Sequence, residues 1–169
     1  DSLNGGAGDD ILMDGRGKDT LTGGAGHDIF VMEADGNFDV IRDFNPAEDR
    51  IDLTAWPMLR NLGQLEFNAT VNGATLSFGN ELLPIYSADG LPLTQQQLLT
   101  ADLINLTRVP AAPLDPDDPA TTQVEYLGDD LANRLDANAM SNLMLGFAGN
   151  DTLIGGDGDD VIDHLGRAE

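Results

Sequence analysis

Three aspartates, Asp10, Asp19 and Asp28, stand nine residues apart, and each is followed two residues later by a large apolar side chain, Leu12, Leu21 and Phe30. The stretch Gly5–Val31 divides without remainder into GGAGDDILM, DGRGKDTLT and GGAGHDIFV. Six residues rich in Gly and Asp cannot pack a core. They can turn tightly and bring carbonyl oxygens close to an ion. The three residues that follow read as a short strand with one apolar side chain turned inward. If two nonapeptides make one coil, loops eighteen residues apart stack and Asp10 lies beside Asp28. Carboxylates and loop carbonyls, with neither nitrogen nor sulfur, suit calcium far better than zinc or copper. A flexible Gly/Asp linker is the alternative reading, and the strict phase of the apolar residues argues against it.

A second array follows from residue 128. Its sixth positions are Asn133, Asn142, Asp151 and Asp160, and its eighth positions are Leu135, Met144, Leu153 and Ile162. The units GDDLANRLD and ANAMSNLML carry Asn and few glycines, so their coils are expected to stack by hydrogen bonds rather than hold calcium. The units GFAGNDTLI and GGDGDDVID return to the acidic pattern. Within the phase, Asp151 pairs with Asn133 and Glu169, and Asp160 with Asn142. Full sites are therefore expected at Asp10 with Asp28 before they are expected here.

Repetition at a short fixed period signals a solenoid. These units resemble the RTX, or haemolysin-type, calcium-binding repeat GGxGxDxUx. The resemblance implies an all-β fold, a parallel β-roll, with several calcium ions between stacked loops. Because carbonyls alternate direction along an extended chain, odd positions of one loop and even positions of its neighbour face a shared ion. The candidate metal ligands are then Gly5, Ala7, Asp9 and Asp10; Gly15, Gly17 and Asp19; Gly24, Gly26 and Asp28; and Asp39. In the second array they are Gly146, Ala148, Asn150 and Asp151, with Gly156, Gly158 and Asp160.

After Val31 the phase decays into MEADGNFDV, where Glu33, Asp35, Asn37 and Asp39 either supply oxygens to the last loop or form a solvated turn. Asp39 to Leu53 reads as a strand, an Asn45-Pro46 turn and a second strand. Its D-x-I-x-D-F and D-x-I-D-L elements resemble the segment after the last repeat in serralysin-type protease C-terminal domains and alginate epimerase R-modules. Asp43, Asp49 and Asp52 are read as caps of turns and of a short helix at Thr54–Arg60. Residues 66–71 and 75–78 alternate apolar and polar around Asn72-Gly73, a hairpin signal. Glu81–Tyr86 reads as a further strand, and 94–99 and 100–106 as helical turns opened by Thr caps. A roll has an exposed apolar end that must be covered. This stretch is its β-rich C-terminal cap, with Trp56, Phe67, Phe78, Leu82 and Ile85 as core.

Residues 109–122, VPAAPLDPDDPATT, hold four of the eight prolines and read as a semi-rigid linker. The chain thus divides into a roll end with its cap (1–108), a linker (109–122) and the start of a second short β-roll (123–169). Asp1 and Leu3 take positions six and eight of a repeat, so the chain is expected to begin inside one. The two open roll ends could stack on one another, within or between chains.

Thirty acidic residues against eight basic ones give a formal charge of −22, which excludes phosphate-backbone recognition and opposes compaction without cations. There is no Cys, hence no thiolate metal site. No run of eighteen apolar residues exists to span a membrane. No G-x-S-x-G elbow, H-E-x-x-H helix or phosphate loop occurs, so no catalytic residues are assigned. His27 sits in a variable loop slot, and His164 reads as an exposed solenoid end. The family resemblance implies secretion or a cell-surface location through type I secretion machinery. Two roles follow: a structural or adhesive unit of a larger protein, or a calcium-dependent accessory module of a secreted enzyme.

Overall fold

The computed structural model describes residues 1–99, 101–104 and 124–164. Nearly every strand is short because each nonapeptide gives only its apolar three or four residues, with a few loop residues, to a ladder. In the first array these are β1 (Ser2–Ala7), β2 (Ile11–Met13), β3 (Thr20–Ala25) and β4 (Ile29–Val31). The segment after it supplies β5 (Val40–Phe44), β6 (Arg50–Asp52), β7 (Glu66–Thr70), β8 (Gly73–Phe78) and β9 (Glu81–Ser87). The second array supplies β10 (Val124–Leu127), β11 (Arg134–Asp136), β12 (Asn142–Leu145), β13 (Thr152–Asp157) and β14 (Val161–Asp163).

Successive strands alternate between two sheets, one ordered β11-β13-β1-β3-β5-β9-β8-β7 and the other β10-β12-β14-β2-β4-β6. All pairings in the roll are parallel, as expected. The second array does not stand apart from the first; it continues it. β13 pairs with β1 in the register Leu153↔Leu3, and β14 pairs with β2 in the register Ile162↔Leu12. The same register runs on inside the first array as Leu3↔Leu21 and Leu12↔Phe30. The spatial order of the coils is therefore second array, first array, cap.

The eighth-position side chains form two files facing each other between the sheets. Leu153, Leu3, Leu21 and Ile41 make one file, and Met144, Ile162, Leu12, Phe30 and Ile51 the other; all are buried. Two apolar side chains per coil, one in each file, make a thin core, so each coil depends on its neighbours above and below.

At the cap end, β5 carries the sheet over to β9, and the β7–β8–β9 meander extends it antiparallel. The hairpin turn is Val71-Asn72 rather than Asn72-Gly73, since Thr70 pairs with Gly73. Leu53 N–H donates to Leu103 O (2.7 Å), closing the edge beyond β6 with the turn Ala101–Ile104. Trp56 and Ile85 are buried as expected and Phe67 and Phe78 pack against the core, but Leu82 is 41% exposed. Along β9 its neighbours Leu83 and Ile85 take the inward positions, which leaves Leu82 facing out. The expected helix at Thr54–Arg60 is a series of turns. Pro57 has no N–H to give, and Met58 adopts φ 69°, outside helical space. The Thr94 cap is present, opening a short helix Gln95–Leu98. The 109–122 segment lies outside the described residues, as do Thr100 and the chain end after His164.

Candidate metal centre

Each coil turns through two Gly/Asp loops, one on either flank of the roll. On one flank the sixth positions in spatial order are Asn142, Asp160, Asp10, Asp28 and Asp49. On the other they are Asn133, Asp151, Asp1, Asp19 and Asp39. A hydrogen-bond ladder ties each flank together, because the backbone N–H of every sixth residue donates to Oδ1 of the next. On the first flank Asn142 donates to Asp160 (2.7 Å), Asp160 to Asp10 (2.7 Å), Asp10 to Asp28 (3.0 Å) and Asp28 to Asp49 (3.2 Å). On the second, Asn133 donates to Asp151 (2.9 Å) and Asp151 to Asp1 (2.7 Å). The Asp1 amino group then donates to Asp19 (2.6 Å), and Asp19 to Asp39 (3.0 Å).

Except at the cap-side ends, Asp39 and Asp49, the ladder uses one oxygen of each carboxylate and leaves the other. Oδ2 of Asp1, Asp10, Asp14, Asp19, Asp28, Asp151 and Asp160 is buried with no hydrogen-bond partner. A buried ionised oxygen without a partner is costly unless a cation meets it. The first position of the repeat explains how room is kept for these oxygens. A Cβ at Gly5 would lie 2.1 Å from Asp10 Oδ2 and 2.7 Å from Gly23 O, and one at Gly155 would lie 2.2 Å from Asp160 Oδ2 and 2.4 Å from Gly5 O. Glycine here leaves a cradle lined by a carboxylate and a neighbouring loop's carbonyl. Both are hard oxygen donors from stacked loops, which is the donor set calcium takes.

Electrostatics agrees. Burial pushes the Asp10 carboxyl up to about 8 and Asp14 up to about 9. Burial likewise raises Asp39 to about 7 and Asp28 and Asp160 to about 6 each, with neighbouring carboxylates adding to the rise. Asp19 is raised for the same reason. A file of acids raised by burial and by one another is held either by protons or by a cation that neutralises it.

Among the residues singled out by sequence, Asp10, Asp19, Asp28, Asp151 and Asp160 all occupy ladder positions with an orphaned Oδ2. Asp39 caps its ladder by accepting from Asp19, and its side chain is not among the orphans. Ala7 O already accepts from Gly158 N (2.7 Å), so it can reach an ion only through its second lone pair. Asp9 accepts from His27 N and Asp159 from Asp9 N, which makes these fifth-position carboxylates loop staples on the outside. Gly15, Gly17, Gly24, Gly26, Gly156 and Gly158 all have positive φ, and at all of them except Gly17 this lets the loop approach a neighbouring loop's backbone. Gly146 faces the Asp151 carboxylate, while Ala148 and Asn150 lie in the same loop.

The expected partners of the second array are revised. The loop stacked on Asp160 on the first-array side belongs to Asp10, and Asp151 meets Asp1, each 150 residues distant. Both contacts are invisible to phase counting within one array. His164 is buried at 4% exposure rather than at an exposed end, because the first array covers it. Asp14 went unselected: it sits where other repeats have Gly, fully buried, accepting from Glu33 N (2.8 Å). The signal was present, as an acid at the position where the GGxG units carry glycine. Asp43 accepts from Gly23 and Gly24 N–H (2.9 Å each), and Asp49 accepts from Asn45 N (2.7 Å) as well as Asp28. Asp49 caps the Asn45 turn as expected and also ends a ladder, whereas Asp43 reaches the amides of a neighbouring coil's loop rather than capping its own turn.

Residues 1–31 and 127–163 match the RTX calcium-binding nonapeptide repeat in four copies. These two stretches are RTX-type calcium-binding repeats, and together they form a parallel β-roll. No curated protein and no solved structure matches the chain. Such repeats are associated with extracellular proteins and are typically non-catalytic. No described helix is long and apolar enough to cross a membrane.

Proposed function

We propose that the chain is a structural module whose roll folds when calcium fills the loops outside the cell, and that it serves as a structural or adhesive part of a larger secreted or surface protein. The observation that carries this reading is the file of buried, partnerless Oδ2 atoms along both flanks. Without cations, those carboxylates and a formal charge of −22 oppose the collapsed state. With cations, binding free energy becomes folding free energy. The ions would be held by Asp10, Asp19, Asp28, Asp151 and Asp160 with carbonyls of the Gly/Ala loop positions, several ions in all. Extracellular calcium modules bind at about 10⁻⁴ to 10⁻³ M, so the chain would remain unfolded in a calcium-poor cytosol and fold after export. Type I secretion is the route this suits. In this reading 1–108 is a roll end with its cap, 109–122 a linker, and 123–169 a further roll segment. The continuous register from β13 to β1 supports stacking of roll ends as the way such segments assemble.

A second reading is favoured by the cap sequence from Asp39 to Leu53: a calcium-dependent accessory module of a secreted enzyme. Circular dichroism against calcium tests the common core of both. The expected result is a disordered spectrum in chelator that becomes β-rich on adding calcium. A folded β spectrum in chelator, unchanged by calcium, would sink it.

A further inference from the structure

Where the second array meets the first, one cluster departs from the all-oxygen chemistry of the loops. Asp1, Asp151 and His164 bring ligand atoms within 4.8 Å of one another. They come from opposite ends of the chain and converge because β13 and β14 dock on β1 and β2.

The histidine is set up as a ligand. Its Nε2 lies 3.1 Å from Arg16 O. A carbonyl can only accept, so Nε2 carries a proton, and Nδ1, on the opposite side of the ring, is the nitrogen left to take a metal in place of a proton. A backbone carbonyl fixing one ring nitrogen while the other turns inward is the usual support of a metal-bound imidazole. Nδ1 faces Asp1 Oδ2 in an ion-pair contact without hydrogen-bond geometry. Asp1 Oδ1 is already engaged by Asp151 N–H (2.7 Å), and Asp151 Oδ1 by Asn133 N–H (2.9 Å). No hydrogen bond engages Asp151 Oδ2, and Asp1 Oδ2 and His164 Nδ1 meet only each other. Asp151 is 2% exposed and His164 4%. A cavity of about 510 Å³ opens beside them and gives an ion a route in.

We propose that Asp1, Asp151 and His164 form a site for a divalent transition ion, zinc by preference, that joins the two repeat arrays. Calcium and magnesium take oxygen ligands. One imidazole nitrogen with two carboxylates, and water completing the shell, suits zinc. On the opposite flank the matching positions, Asp160 and Asp10, converge with no histidine, so the two flanks of the seam differ in the ion they select.

The test uses the full 169-residue chain in saturating calcium, with far-UV circular dichroism run first to establish that the roll is folded. A failure of the calcium reading appears in that spectrum and not in the metal titration. Zinc, and cobalt as its coloured surrogate, are then titrated. The expected result is one tight equivalent, with a visible cobalt d–d band, weakened at least about tenfold in His164→Ala and unchanged in His27→Ala, whose ring is exposed. Because His164→Ala could loosen the seam, the unmodified chain supplies a second measurement. On adding zinc, the ¹⁵N resonance of His164 Nδ1 should shift while that of His27 stays. The proposal is overturned if no equivalent binds above the calcium background, if binding survives His164→Ala in a folded chain, or if the Nδ1 resonance does not move.

Discussion

The outermost coils of the roll and the coils at its centre are built on the same nonapeptide, yet they satisfy their loops in opposite ways. At Asn142 the side-chain amide donates to Asn138 O (3.3 Å), to Met140 O and to Asp160 Oδ1 (2.9 Å). At Asn133 the amide donates to Asp129 (3.1 Å), and its oxygen accepts from Asp129 N (2.7 Å). The Asn133 loop closes on its own hydrogen bonds, while Asn142 binds its own loop and the next coil with its amide nitrogen and leaves its amide oxygen unmet. At Asp10 and Asp28 the same position is an acid that serves one neighbour with Oδ1 and leaves Oδ2 buried and unmet. Changing one amide to one carboxylate thus trades an amide nitrogen that donates to the loop carbonyls for a second anionic oxygen that only a cation can meet. The outer coils leave one uncharged oxygen, Asn142 Oδ1, buried and unmet, whereas the central coils leave a carboxylate oxygen unmet at Asp10, Asp28, Asp160 and Asp151. Calcium dependence is therefore concentrated at the middle of the stack, including the seam between the arrays.

Withdrawing calcium is the harshest way to probe this difference. Chelation is expected to abolish the β signal of the central coils altogether, and hydrogen exchange should then find no protected amides at Leu12, Leu21 or Phe30. Protection persisting there without calcium would erase the distinction. Truncating the core comes next. Leu12→Ala removes a fully buried link between Ile162 and Phe30 and should cost about 2–5 kcal/mol in calcium-saturated unfolding. Leu135→Ala, at a half-buried outer position, should cost much less in the same denaturant series. Equal losses would mean that the outer coils are as integral as the centre.

Exchanging the key side chain tests the comparison most directly. Asp10→Asn should weaken calcium-linked stability by about 1.5–3 kcal/mol, the range for a hydrogen bond to a charged group. The reverse change, Asn142→Asp, should lower stability in chelator and raise the calcium response. Calorimetric titration of both variants reads the two signs, and the same sign for both would contradict the scheme.

Proton linkage gives a smaller effect. Asp10, Asp14, Asp28, Asp39 and Asp160 are all raised by burial, to values from about 6 to about 9, above the unfolded value near 3.9. The folded state holds the extra protons, so stability of the calcium-free chain falls as pH rises from about 4 to about 9. Calcium must displace those protons, so its apparent affinity should increase over pH 6 to 9, with protons released on binding. Titration in two buffers of different ionisation enthalpy counts them, and no release at pH 7 would refute the linkage. Smallest of all, Thr94→Ala removes the cap whose hydroxyl accepts from Gln97 N (3.3 Å) and should cost about 0.5–2 kcal/mol, with calcium affinity of the central coils untouched.

Much of this was legible in the sequence because a solenoid writes its structure locally. Nine-residue spacing gave the strands, the inward side chains from Leu12 to Ile162, and Asp10 beside Asp28, since each coil's geometry is set by residues within that coil or eighteen away. The Asn-for-Asp substitutions announced their own hydrogen bonding. The cap was read less well. Pro57 and a left-handed Met58 replaced a helix with turns, and the inward facing of Leu83 and Ile85 sent Leu82 outward. Irregular segments lack a period that fixes which side chain points where.

Only the tertiary structure decided how the two arrays relate. Every coil of a roll exposes the same backbone ladder at its edge, so any coil can accept any other, and the sequence carries no code for the choice. The structure joins β13 to β1 and β14 to β2, and that single choice supplies Asp160 and Asp151 with the carboxylate neighbours their own array lacks. It also buries His164 against Asp1. The repeats determined the coil and its affinity for calcium; the docking of two edges 150 residues apart determined where the acids converge.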